Sequence, residues 1–214
     1  MFPMSPTVTA AARRATIEDI PGVARVLSRA LADDPLFRWL FPDDAQRMAR
    51  TRRFFALAAG FGYVPAGDTR VVSIAEGAFE DPVIRAAALW APASSNPEGP
   101  LVSPRTWPHW VPLIGRERLG AFVRLCAEWK MAAPQEPHLY LAVLGVDPAL
   151  EGAGLAKELL ESGLARSDDE GLPAFTQTLS PESVDFYERF GFRVVQQVEQ
   201  PGIGTSRFLM RTPA

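Results

Sequence analysis

Apolar residues recur along the chain in two rhythms, one helical and one extended. Ile20, Val23, Leu27, Ala30 and Leu31 share one face at helical spacing. Thr16 stands ahead of them as a cap, with Asp19 three positions on to reach back to it, and Arg13–Thr16 reads as a short strand. Ala32–Pro42 is broken by two prolines and carries aromatics that read as exposed, which predicts a loop or short helical turns. A second helix is expected over about Ala45–Ala59. Strands follow at Thr69–Ala75 and Val83–Trp90, joined by a turn around Glu80–Pro82. Between Ala91 and Pro112 there are six prolines in 22 residues, a density that predicts no regular structure. Trp107 and Trp110 favour a lid over a site, because large aromatics gain little in a solvated loop.

A helix is expected over Leu113–Ala132. The order then becomes strand, helix, strand, helix, strand, strand. His138–Val146 is a continuous apolar run, as a central strand covered on both faces requires. Gly154–Arg166 places Leu155, Leu159, Leu160, Gly163 and Leu164 on one helical side. Ala174–Thr178 is a short strand. Ser180 and Pro181 supply a cap and a first-turn proline, and Gly191 stops that helix. Arg193–Val198 and Thr205–Met210 close the pattern. No repeat or linker divides the chain, so residues 11–214 read as one α/β domain around a mixed sheet, after a flexible tail over residues 1–10.

Composition narrows function more than fold. The 214 residues are 47% hydrophobic and 22% charged, in the globular range. A net charge of -3 leaves no basic footprint for nucleic acid, and the Arg47–Arg53 stretch reads as a solvated helix face. The one cysteine, Cys126, falls on the stripe Leu119, Phe122, Val123, Cys126, Trp129, and so reads as a core thiol. No apolar run approaches the roughly 18 residues that span a bilayer, and the N-terminus lacks the order of a signal peptide. The expectation is a cytoplasmic protein, monomer or homodimer, with no nucleic-acid or membrane partner. No ligand spacing suits a metal.

Candidate chemistry concentrates at Val146–Ala156, which leaves a buried strand and opens a helix. The first N–H groups of a helix lack internal partners, and the helix dipole adds positive character there. Gly152 and Gly154 let a phosphate approach the backbone. A tight strand-to-helix turn would use the same glycines, and the spacing fits neither a Walker A loop nor a dinucleotide fingerprint. About 30 residues on comes Ser183-Val184-Asp185-Phe186-Tyr187-Glu188-Arg189-Phe190-Gly191-Phe192.

Together the two segments resemble the acetyl-CoA loop and the Phe-Tyr-Glu-x-x-Gly-Phe helix of GNAT N-acetyltransferases. Within that superfamily the chain is most similar to the puromycin N-acetyltransferase group, through Pro137–Ala156, Gly171–Phe192 and Val198–Arg211. The resemblance implies a GNAT fold, α/β (α+β), with a central mixed twisted sheet of six to seven strands flanked by helices. It implies acetyl-CoA as co-substrate and a small-molecule amine as acceptor, for example an antibiotic or other secondary metabolite. Leu144, Gly145 and Val146 would run beside the pantetheine arm, with backbone pairing from Leu144 and Val146. Amides of Glu151, Gly152, Ala153, Gly154, Leu155 and Ala156 would hold the pyrophosphate, Ser183 and Phe186 would flank the arm, and Tyr187 would protonate the departing thiolate.

Two positions depart from the family. Glu151 stands where Gln or Arg is usual and sets a carboxylate near a pyrophosphate, and Ser183 replaces an asparagine. Gln177 occupies the place of a glutamate in the puromycin group, which leaves the general base open among Glu136, His138, Asp33 and Asp34. The acceptor side draws on the loops 33–43 and 91–112, with Asp33, Asp34, Phe37, Trp107, Trp110, His138 and Tyr140 as candidates. Glu151 and Ser183 also keep alternatives alive: a GNAT-fold binding or immunity module without acetyl transfer, or other CoA-thioester chemistry.

Overall fold

The computed structural model describes residues 11–75, 81–91 and 106–214; the expected tail over residues 1–10 and most of the proline-rich stretch lie outside them. At the front, Asp19 reaches back as its spacing predicts, accepting the Thr16 N–H at 2.8 Å, while Arg13 grips the same carboxylate at 2.6 and 2.8 Å. Helix α1 (Ile20–Ala30) follows, with Val23, Ala24, Val26 and Leu27 fully buried.

Seven strands form one sheet: β1 (Arg13–Arg14), β2 (Arg70–Ile74), β3 (Val83–Ala91), β4 (Leu139–Val146), β5 (Ala174–Thr178), β6 (Arg193–Gln200) and β7 (Gly204–Arg211), in the order β1-β2-β3-β4-β5-β7-β6. Only the β4–β5 pair is parallel among them. The mixed sheet matches the expectation, and β5 has the predicted bounds. One face is covered by α1, α3 (Asp44–Ala58), α4 (Trp107–Ile114) and α5 (Arg116–Ala132). The other carries α6 (Leu155–Glu170) and α7 (Pro181–Glu188). Gly163 brings α6 hard against β3, since a Cβ there would lie 2.4 Å from the Trp90 ring.

Three local expectations change. Ala32–Pro42 holds a short helical segment, α2 (Pro35–Leu40), one of the two forms expected, but its aromatics are not exposed as expected: Phe37 is buried, as is Phe41 just beyond it. Asp34 caps that helix and Pro35 fits its first turn, where no N–H is needed. At the end of the proline-rich stretch, residues 107–114 are helical despite Pro112. An interior proline costs about 3 kcal/mol, but this helix buries Trp110, Leu113 and Ile114 in a core of edge-on rings, with Trp110 5.1 Å from Phe54. The expected helix from Leu113 to Ala132 is therefore two helices, broken at Gly115, whose φ of 85° suits glycine.

Candidate active site

Strand β4 pairs with β5 only over Leu139–Leu141. Its register against β3 slips between Leu89 and Trp90, which face Val143 and Leu141, so Ala142 is an extra residue, a β-bulge. Beyond it the two parallel strands part. The Asp147 N–H donates to the Arg85 carbonyl at 2.8 Å. Alternation along an antiparallel pair then directs the backbone groups of Gly145 toward β3 and those of Leu144 and Val146 away from it, into the gap. Gly145 itself lies under α1, where a Cβ would come within 2.8 Å of the Leu27 side chain. Its need for glycine is thus a packing need.

After β4 the chain turns on Asp147. This buried carboxylate accepts the Ala149 N–H at 3.2 Å and takes Arg29 and Arg85 at 3.1 and 3.0 Å. Burial works to raise its pKa, but these hydrogen bonds outweigh it and hold the group below the ordinary aspartate value. The loop continues through Gly152 and Gly154, both at φ near 80°, and α6 begins with no side-chain cap. Of the amides expected to face a pyrophosphate, Glu151 and Ala153 already donate to Pro148 and Leu150 carbonyls. Gly152, Gly154, Leu155 and Ala156 have no such internal acceptor among the described residues. The Glu151 side chain is exposed.

The gap between the strands opens into a cavity of about 590 Å³, within the range of small-molecule sites. Leu144 and Ser183 line it on one side, and Asp33, Asp34, Phe37, His138 and Tyr140 on the other parts of its wall. Tyr187 also lines it. Burial pushes the Tyr187 phenol up to about 12, offset in part by a hydrogen bond with Thr176, so the hydroxyl keeps its proton at neutral pH. Thr176 is buried and donates to the Leu141 carbonyl at 2.9 Å. Thr176 was not singled out by sequence; its only signal is a polar residue in an apolar strand. Burial, with Tyr63, Cys126 and Tyr187 nearby, holds the Tyr140 phenol far above its ordinary value. Cys126, expected in the core, lines the cavity half-buried.

The His138 Nδ1 lies 2.8 Å from the Glu136 carbonyl oxygen. A carbonyl only accepts, so the neutral ring carries its proton on Nδ1 and leaves Nε2 as acceptor. Asp33 is exposed and paired with Arg38 at 2.7 Å. Asp34 is half-buried and accepts the Leu36 N–H at 2.8 Å; burial raises its pKa against the pull of the Leu36 and Phe37 amides. Two acceptor candidates are elsewhere. Trp110 is fully buried in the core and Trp107 is exposed on α4, and neither lines the cavity. Phe186 packs edge-on to Tyr187 at 5.4 Å, behind the wall. Among the described residues no group of His, Cys, Asp or Glu side chains is arranged to hold a metal ion, and no helix is long and apolar enough to cross a membrane.

Residues 130–212 match the family model described as the acetyltransferase (GNAT) domain. A mycothiol acetyltransferase of Propionibacterium freudenreichii is 33% identical over 88 residues, 39% of this chain; the chain spans 28% of that relative's length. A Corynebacterium glutamicum structure described as histone acetyltransferase HPA2 and related acetyltransferase superposes with a TM-score of 0.71 at 25% identity, covering 96% of this chain and 97% of that one. The Drosophila melanogaster polyamine N-acetyltransferase superposes with a TM-score of 0.63 at 17% identity over 94% of this chain and 98% of its own. The fold is that of GNAT acetyltransferases.

Proposed function

We propose that this protein is an N-acetyltransferase that moves the acetyl group of acetyl-CoA to the amine of a small molecule. The observation that carries this reading is the parting of β4 and β5 beyond Leu141, which leaves strand-edge groups of Leu144 and Val146 unpaired in a gap that opens into a cavity lined by Leu144 and Tyr187. Those groups pair with the amide-bearing arm of the co-substrate as a missing strand would. The amides of Gly152, Gly154, Leu155 and Ala156 take its pyrophosphate, with Ser183 beside the arm. Gly145 and Phe186 support this site through packing.

With both substrates aligned, the neutral amine attacks the thioester carbonyl, forming the C–N bond, and the C–S bond then breaks. Tyr187 gives its proton to the departing sulfur. His138 accepts the proton released by the nitrogen at Nε2, the position its hydrogen bond to Glu136 leaves basic. Cytoplasmic residence, an antibiotic-type acceptor and kinship with the puromycin group belong to the same proposal. The lone half-buried Cys126 supports the first and the largely apolar cavity wall the second.

One observation favours a second reading. Glu151 is an exposed carboxylate at the entrance of the proposed anion site, so a binding module that no longer transfers acetyl groups would show the same fold. Free thiol release from acetyl-CoA across an amine panel separates the two. Heat stabilisation by acetyl-CoA, about 2.7 kcal/mol at one hundred times its dissociation constant, without thiol release would favour the module.

A further inference from the structure

Besides His138, the charged residues of the cavity wall are Asp33, Asp34, Lys130 and Glu182, and Lys130 has a partner of its own. Asp33 is exposed and neutralised by Arg38. Glu182 is exposed in the first turn of α7 and accepts the Ser180 hydroxyl at 2.6 Å. Asp34 differs from both: it is half-buried, faces the cavity, and no cation of the chain pairs with it among the described residues. One of its oxygens accepts the Leu36 amide at 2.8 Å, which fixes the carboxylate in place and leaves its other oxygen with spare accepting capacity. The same wall carries six rings, Phe37, Phe54, Phe122, Tyr140, Phe175 and the half-buried Trp129, beside the polar side chains of Thr176, Gln177, Ser183 and Ser206. Phe37 and Phe54 meet edge-on at 5.3 Å, and Phe54 and Phe122 at 5.8 Å. These rings hold one another in place, so the cavity keeps its shape without a ligand.

We propose that the cavity accepts a monoamine carried on an apolar, ring-bearing body, with its ammonium group drawn to Asp34, and that it discriminates against di- and polyamines. The proposal rests on the acetyl-transfer reading for its biological meaning, but the selectivity belongs to the cavity itself. A ring-bearing monoamine satisfies both wall and carboxylate. A diamine held at Asp34 leaves the rings uncovered, and the other carboxylates of the wall that its second ammonium could reach, Asp33 and Glu182, are already engaged by Arg38 and Ser180. Burial raises the Asp34 pKa; an ammonium partner reverses that penalty, so the carboxylate gains a partner when the amine enters.

Calorimetric titration of the full chain at neutral pH, with and without CoA, tests this. The probes are 2-phenylethylamine, its neutral counterpart 2-phenylethanol, and putrescine. The amine is expected to bind at least about tenfold more tightly than either of the other two, since a charge-assisted hydrogen bond is worth one to two decades of affinity. Asp34→Asn keeps a good helix cap and so keeps the fold, but it should abolish the preference for amine over alcohol. It should leave acetyl-CoA affinity unchanged. Putrescine binding as tightly as 2-phenylethylamine overturns the proposal, as does an amine preference that survives Asp34→Asn. Acetyl-CoA titrated in the same instrument judges the acetyl-transfer reading separately: its failure to bind sinks that reading and leaves the amine selectivity to be decided on its own data.

Discussion

Replacing Tyr187 with phenylalanine keeps the ring that packs against Phe186 at 5.4 Å and Phe192 at 5.6 Å and removes only the hydroxyl. Two independent readouts follow. Burial holds the folded phenol to about 12, whereas an unfolded tyrosine ionises near 10. The raised value means that the folded state holds the proton longer. The contribution is fully present below about pH 10 and is lost as pH rises toward 12, amounting to about 2.7 kcal/mol at most. Urea unfolding at pH 8 and at pH 11 should therefore show a shallower alkaline decline in Tyr187→Phe than in the parent. At pH 8 the variant should be within about 1 kcal/mol, the worth of the hydrogen bond to Thr176. Single-turnover acetyl transfer should fall about 10²-fold, with acetyl-CoA affinity little changed. Parallel pH–stability curves would contradict the burial of the hydroxyl. An unchanged single-turnover rate would remove Tyr187 from proton donation, and single turnover excludes masking by slow product release.

Glu151→Gln should tighten acetyl-CoA several-fold, about 1 kcal/mol, with the gain shrinking in high salt; weaker binding would assign the carboxylate to ordering its own loop. Gly163→Ala gains about 1 kcal/mol of helix propensity but forces a Cβ to 2.4 Å from Trp90, so thermal unfolding should show a net loss, and Trp90→Phe should partly restore it. Asp147→Asn should destabilise the protein by about 1–3 kcal/mol by leaving Arg29 and Arg85 short of charge. Because the folded pKa of Asp147 is depressed, its contribution is present above about pH 4 and fades as pH falls through the folded value, so the two proteins should converge in acid.

The C-terminal half was legible because its local signals agree with its tertiary setting. Strand β5 is bounded by Gly171 and by Ser180-Pro181, and the Leu155, Leu159, Leu160, Gly163, Leu164 stripe faces the sheet as its spacing requires. The proline-rich half was read less well, since proline's local cost was weighed without the burial that offsets it. Trp110 at the end of that stretch went to the core, where a ring cluster waits that no local window contains. Five of the seven acceptor candidates line the cavity, and Trp107 and Trp110 do not. Thr176 and the selective placement of Asp34 were invisible for a related reason: each acquires its meaning from a residue far along the chain, Leu141 and Tyr187 for the one, the rings of α3 and α5 for the other.

The extra residue in β4 sets a phase as well as a gap. Tyr140 and Ala142 pack toward the α1 side, and so does Val143, whereas Leu144 and Val146 pack toward α6. Two successive residues facing the same way reset the alternation for the rest of the strand. A one-residue deletion at Ala142 would restore plain alternation: Val143 would still face Leu89, Leu144 and Val146 would still turn toward α6, and Gly145 would still sit under Leu27. What it would remove is the bend and extra twist that a bulge puts into its strand. β4 would then be free to run on beside β5, and the gap between them would narrow while every side chain kept its side.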